Sequence, residues 1–213
     1  AGSYLTPTGF LWARCEGGIE DTGQFDKIEP ILSGKSASCM IRKEAFIEAG
    51  FFDESYEILG EETDLAWRVW LRGWQVLFVP NSLALHKFNT SFKPKDFYVP
   101  RRVYFNGCRN YLSMLVTNLE YRNLIVPLIC QCVVWIVASM GMFVTGKFEA
   151  GYFILKGLLS AASNWRVLLQ KRKTVQSARK ISDKDLFTFI QRRPPISYYI
   201  KRLLHYIYTG RHG

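Results

Sequence analysis

The sequence predicts an α/β fold over residues 1–100 and a helical, basic, membrane-associating region over residues 101–213. Three observations carry this division. Short strand-like and helix-like segments alternate between loops marked by Gly and Pro as far as residue 86, the pattern of an α/β domain. A run of 23 residues without a charge, 124–146, then exceeds the roughly 20 apolar residues that cross a bilayer. Charge divides at the same place. Residues 1–100 carry 10 Lys+Arg against 14 Asp+Glu, a balance of −4, and residues 101–213 carry 18 against 4, a balance of +14.

Residues 1–32 are turn-rich, with Pro7, Gly9, Gly17, Gly18 and Gly23 between short apolar pieces. Ser36–Ile41 reads as a buried strand, and Arg42–Gly50 as a short helix that Gly50 ends. A loop from Phe51 to Gly60 leads into an amphipathic helix, Glu61–Arg72, with Leu65, Val69, Trp70 and Leu71 on its apolar side and Gly73 closing it. Gln75–Val79 reads as a strand stopped by Pro80, and Leu83–His86 as a second short strand. Arg101–Tyr121 is helical and rich in aromatic residues and Arg. Residues 151–169 form a second apolar stretch, interrupted by Lys156 and Arg166, before the basic tail.

A hydrophobic content of 48% with 15% aromatics excludes a largely disordered chain. The net charge of +10 calls for an anionic partner. No nucleic-acid-reading motif accompanies the basic residues, so the expected partner is an anionic membrane and not nucleic acid. Five cysteines at irregular spacing, with no zinc-type pattern, fit a reduced chain facing the cytosol.

Chemistry concentrates in Gly60-Glu61-Glu62-Thr63-Asp64, where three carboxylates fall within four residues. Acidic residues favour the first turn of a helix because they face the positive end of its dipole, and such a cluster can also simply be solvated. The functional alternative is a general base: a hydroxyl attacking a carbon centre is helped by a carboxylate that accepts its proton, and a second carboxylate nearby raises the basicity of the first. Trp12, Trp67, Trp70 and Trp74 offer an aromatic stacking surface, although the spacing of the last three is that of helix core.

A longer order of residues surrounds this cluster. Ser33-Gly34-Lys35-Ser36-Ala37-Ser38-Cys39-Met40-Ile41-Arg42-Lys43-Glu44-Ala45-Phe46 precedes Gly50-Phe51-Phe52-Asp53-Glu54. The acidic helix Gly60 to Arg68, Gly73-Trp74, Val79-Pro80 and His86 follow. Over residues 1–122 this order resembles the second half of family 2 glycosyltransferases with a GT-A fold, particularly the rhamnosyl- and galactofuranosyl-transferase-like members. The resemblance implies the C-terminal, acceptor-side half of a GT-A-type domain, acting on a nucleotide-sugar donor and a lipid-linked or polysaccharide acceptor. It makes Glu62 the catalytic base, where the family more often has Asp, with Glu61 as its neighbour. Asp64 and Arg68 match the Asp-Leu-x-x-Arg pattern and become substrate-binding candidates, beside the reading of an intrahelical ion pair at i,i+4. Gly34 and Ser36 match small residues at which the family's backbone approaches the sugars, or else serve a tight loop. His86 matches a ligand of a divalent metal, Mn or Mg, imidazole suiting Mn better. No Asp-x-Asp, the family's main metal motif, occurs in the sequence, nor do the nucleotide-binding βαβ units. The expectation is therefore a fragment lacking the donor-binding half and inactive alone, with a non-catalytic, membrane-bound glycan- or partner-binding module as the alternative.

Nucleotide sugars are cytosolic, so the resemblance places the catalytic part on the cytoplasmic side. The positive-inside rule puts both Arg101-Arg102 and the basic tail there too. Two crossings, or a shallow hairpin of the two apolar segments, satisfy both flanks. Core helices are the alternative.

Overall fold

The computed structural model describes residues 2–14, 20–84 and 101–209. It is helix-rich with few and short strands. A hairpin of β1 (Ser3–Leu5) and β2 (Leu11–Ala13) pairs Tyr4 with Trp12. A second antiparallel pair joins β3 (Glu29–Pro30) to β4 (Leu77–Phe78). Ser3 links the two, exchanging backbone hydrogen bonds with Ser33 and Leu32 at 2.9 and 2.8 Å. The strand expected at Gln75–Val79 thus forms, but shortened to the two residues that find a partner.

The hairpin turn is clasped from outside. Tyr111 Oη donates to the Gly9 carbonyl at 2.8 Å and accepts from the Leu11 N–H at 2.6 Å. Gly9 sits at φ 81°, and a Cβ there would lie 2.8 Å from that of Pro127, so glycine is required by both backbone and neighbour.

Helix α1 (Lys43–Ala49) ends where expected: Gly50 adopts φ 81° and its N–H returns to the Phe46 and Ile47 carbonyls. The buried strand expected at Ser36–Ile41 is absent. Ser36–Ser38 form a 3₁₀ turn and residues 35–42 are exposed, Met40 almost fully, because no neighbouring strand offers them a ladder. Helix α2 (Glu61–Leu71) starts where expected and ends one residue short of the expected span, with Arg72 as its C-cap. Leu65 and Val69 face Ala45 and Ala49 of α1, while Trp67, Trp70 and Leu71 enter the main core. The tryptophans of α2 are therefore core, and Trp70 satisfies its indole N–H on the Ile31 carbonyl at 2.9 Å. Residues 82–84 are not strand, and the rest of the segment expected at Leu83–His86, with His86 itself, lies outside the described residues.

Helices α3 (Arg101–Asn118), α4 (Tyr121–Val144), α5 (Phe148–Ser163), α6 (Trp165–Ser177), α7 (Asp183–Ile190) and α8 (Ile196–Thr209) complete the chain. The main core joins both sides of residue 100: Leu5, Leu32 and the α2 residues meet Met114, Leu115 and Leu119 of α3, Val175 of α6 and Leu186 and Ile190 of α7. A second core packs α3 against α4, α5 and α8 through Cys108, Leu112, Trp135, Met142, Ile154 and Tyr206.

The uncharged run forms one continuous helix, α4, through Pro127, and α5 turns back along it, with Ser139 Oγ donating to the Gly151 carbonyl at 2.8 Å. Among the described residues one helix, α4, is long and apolar enough to cross a membrane, and about a third of its apolar window is buried. Ile125, Ile129, Val133, Ile136 and Met140 point outward. The second apolar stretch is not one element. It breaks at Asn164, whose side chain donates to the Ser160 carbonyl at 2.9 Å and ends α5.

Candidate active site

The loop that delivers α2 runs from Gly50 to Gly60 and carries two non-glycine residues at positive φ, Phe51 at 62° and Leu59 at 68°. Gly60 follows at φ 91°. Gly60, the N-cap residue, offers no side chain to cap the helix, and the Glu62 carboxylate turns to its own N–H. Tyr56, packed under Gly60, and Asn110, which donates to the Ile58 and Leu59 carbonyls at 3.0 and 2.9 Å, fix this approach.

Glu62 is half-buried at that helix start. Burial pushes its carboxyl above the usual range; its own backbone N–H draws it down, the neighbouring Glu61 charge adds to the rise and Lys35 opposes it. One carboxylate oxygen of Glu61 is buried and has no hydrogen-bond partner among the described residues. Two acidic groups, one of them under-solvated, thus share one helix turn.

Next to them, Ser33 Oγ lies 3.1 Å from Thr63 Oγ1 and 2.8 Å from Ser3 Oγ, which ties the end of the β3 segment to the first turn of α2. This brings Gly34, Lys35 and Ser36 alongside Glu62. A Cβ added at Gly34 would meet nothing within 4 Å, and Ser36 is exposed. The outer side of this segment is therefore open surface.

Asp64 and Arg68 take a different place. They are 3% and 6% exposed and joined at 2.8 Å, with Asn118 donating to the second Asp64 oxygen at 2.8 Å and Arg68 donating to the Ala49 carbonyl. Of the two sequence readings for this pair, the geometry matches the intrahelical ion pair, which locks α2 to α1 and α3. The loop before α2, through Asp53, Ser55 and Tyr56, lines with α3, α5 and α6 an open pocket of about 230 Å³ that has Ser113, Thr117 and Ser160 on its walls. There Lys171 grips both Asp53 oxygens and Ser55 Oγ, each at 2.7 Å. Reasoning from sequence missed Asn110, Asn118 and Lys171. The signal for the first was the polar set Asn106, Arg109 and Asn110 at helical spacing inside an otherwise aromatic and apolar segment.

A family model described as glycosyl transferase family group 2 matches residues 25–167. The chain belongs to this family. Neither the curated proteins nor the solved structures give a match. Family group 2 membership indicates a glycosyltransferase, with a nucleotide-sugar donor and a glycan acceptor and, generally, a divalent metal. The matched span begins later and runs further than the resemblance in the sequence, reaching through α3, α4 and α5, so the apolar helices belong to the family pattern. Among the described residues no three His, Cys, Asp or Glu side chains converge on a point that would hold a metal ion. The residues described do not fit such a site, and the assignment of His86 rests on the sequence resemblance.

Proposed function

We propose that this glycosyltransferase moves a sugar from a nucleotide-sugar donor to a hydroxyl of a lipid-linked or polysaccharide acceptor, with Glu62 as general base. The Glu62 carboxyl carries this reading: it stands at the mouth of α2, beside open space along Gly34 and Ser36, with its proton affinity raised by burial and by Glu61. A sugar hydroxyl is a very weak acid, so a carboxylate of raised pKa makes the better acceptor for its proton. The acceptor oxygen bonds to the anomeric carbon as the bond from that carbon to the nucleotide's phosphate oxygen breaks. The proton passes to Glu62, the negative charge leaves on the nucleotide, and direct displacement inverts the anomeric centre. Glu61 keeps Glu62 basic, while Asp64 and Arg68 contribute by holding the helix in place.

The same reading lays the outward, apolar side of α4 in a bilayer, with the catalytic part on the cytoplasmic face. A helix of 24 residues is about 36 Å long, enough for a hydrocarbon core of about 30 Å.

The test is Glu62→Gln in the complete enzyme, with the donor-binding half present, reconstituted in anionic lipid vesicles and supplied with a panel of nucleotide sugars and lipid-linked acceptors. Nucleotide release should fall by about 10²-fold or more. Release at the wild-type rate would remove Glu62 from the mechanism and make Glu61 the base to test.

A further inference from the structure

The loop before α2 hangs from one face of α3. Asn106 donates to Glu57 Oε2 at 3.1 Å, Arg109 to the Ser55 carbonyl at 2.6 Å, and Asn110 to the Ile58 and Leu59 carbonyls at 3.0 and 2.9 Å. Positions i, i+3 and i+4 of a helix share a face, so one rigid element grips the loop at successive points. Asn110 is the most committed of the three. It is 2% exposed, both its N–H groups go to consecutive carbonyls of the loop, and its Oδ1 accepts from Arg109 Nε at 3.1 Å.

The grip falls where the backbone is least able to hold itself. Leu59 at φ 68° occupies a region that a branched side chain avoids, and such residues persist only when their surroundings over-determine them. Gly60, at φ 91°, has no side chain with which to fix the direction of α2. The two hydrogen bonds from Asn110 supply that direction, the nearer of them three residues before Glu62.

We infer that Asn110 is a positioning residue for glycosyl transfer, holding the Leu59–Gly60 turn so that α2 presents Glu62 half-buried at the edge of the acceptor space. The inference rests on the role proposed for Glu62. Without the two donors Leu59 relaxes toward negative φ, the first turn of α2 tilts, and the Glu62 carboxylate gains water. The charged groups facing it are Glu61, which rides on the same turn, and Lys35 on the segment after β3, relative to which the pair moves when the turn tilts.

The experiment is a carboxyl-detected NMR titration of the full chain in detergent micelles, with ¹³C-labelled glutamate and the Glu62 signal assigned by its loss in Glu62→Gln. Asn110→Ala and the milder Asn110→Ser are compared with wild type, each checked by thermal melting. Glu62 should titrate at lower pH in both variants than in wild type. In the complete enzyme, with the donor-binding half present, nucleotide release should fall at least about tenfold, with the donor KM changed by less than about twofold. An unchanged Glu62 titration in a folded variant overturns the inference. If neither single variant folds, Asn110→Ser combined with Leu59→Gly, which removes the backbone strain, decides on the same criterion; failure of this protein to fold would mark Asn110 as a fold anchor and also overturn it. Should Glu62→Gln leave nucleotide release intact, the base assignment fails, while the titration still reports whether Asn110 holds Glu62.

Discussion

Asp64→Ala removes one oxygen from Arg68 and the other from Asn118 at the centre of the junction between α1, α2 and α3. Both carboxylate contacts are 2.8 Å, and among the described residues Arg68 then retains only its hydrogen bond to the Ala49 carbonyl. At 6% exposure the guanidinium cannot recover its hydration, so it is left as a buried charge without a counter-charge. Breaking one side of such a pair costs about 3–5 kcal/mol. For a chain of this size, each kcal/mol lowers the melting temperature by about 2–4 °C, so a fall of about 6–20 °C is expected. Asn118 limits its own loss, because its amide still donates to the Met114 carbonyl at 3.0 Å. The assay is thermal unfolding of the full chain in mild detergent, followed by far-ultraviolet circular dichroism. The companion Asp64→Leu/Arg68→Met removes both charges and should cost less than Asp64→Ala, since well-packed apolar replacements of a buried pair are often neutral. A fall of less than about 4 °C for Asp64→Ala, corresponding to about 1–2 kcal/mol at most, would refute the claim that this pair locks α2.

Gly157→Ala places a methyl group 2.6 Å from the Phe105 carbonyl oxygen, which is backbone and cannot turn aside; a loss of about 1–3 kcal/mol in a thermal melt is expected. Asp53 should make stability fall in acid. Burial raises its pKa, but the hydrogen bonds from Lys171 and from the Ser55 N–H and hydroxyl outweigh this and leave it below the ordinary 3.8. Its contribution is therefore complete above that value and lost as pH falls through the lower native one, and Lys171→Met should flatten that acid limb of a melting-temperature-against-pH series. Val133→Lys, at the middle of α4 on its outward side, should cut vesicle flotation, because a Lys at the centre of a spanning helix costs about 3 kcal/mol. Flotation equal to wild type would place that face of α4 in water.

Local signals were legible where they were self-sufficient. Gly50 and Gly73 stop their helices as the sequence says, since a positive φ is settled by the residue itself. The expected strand at Ser36–Ile41 failed because a ladder needs a partner, and apolar letters alone do not provide one. The basic tail was the larger surprise. Arg172 donates to the Leu119 carbonyl at 2.6 Å, Gln176 to the Thr117 and Asn118 carbonyls at 2.8 and 3.1 Å, and Arg179 pairs with the fully buried Asp183 at 2.8 Å. Arg172, Arg179, which also donates to the Asn118 carbonyl, and the neutral amide of Gln176 thus satisfy the open carbonyl end of α3, the two arginines as cations at a helix C-terminus do. A count of charges cannot separate such inward residues from those that meet lipid headgroups. At the site, the acidic pair was visible in its motif. The hold of Asn110 on it spans 51 and 52 residues of chain and leaves no local pattern.

The parallel bridge between Leu5 and Gln191, with the Arg192 N–H reaching the Leu5 carbonyl at 2.9 Å, sets an order in time as well as in space. At about 5–20 residues per second, a ribosome needs about 10–40 s to pass from one partner to the other. Throughout that interval the Leu5 edge of β1 lacks its partner and the crevice that α7 will fill stays open, and over the last quarter of it, once Val144 has been added, the apolar side of α4 is made as well. The nascent chain is therefore most exposed to wrong pairing before α7 arrives, and early capture of α4 by lipid would remove its largest sticky surface during the wait.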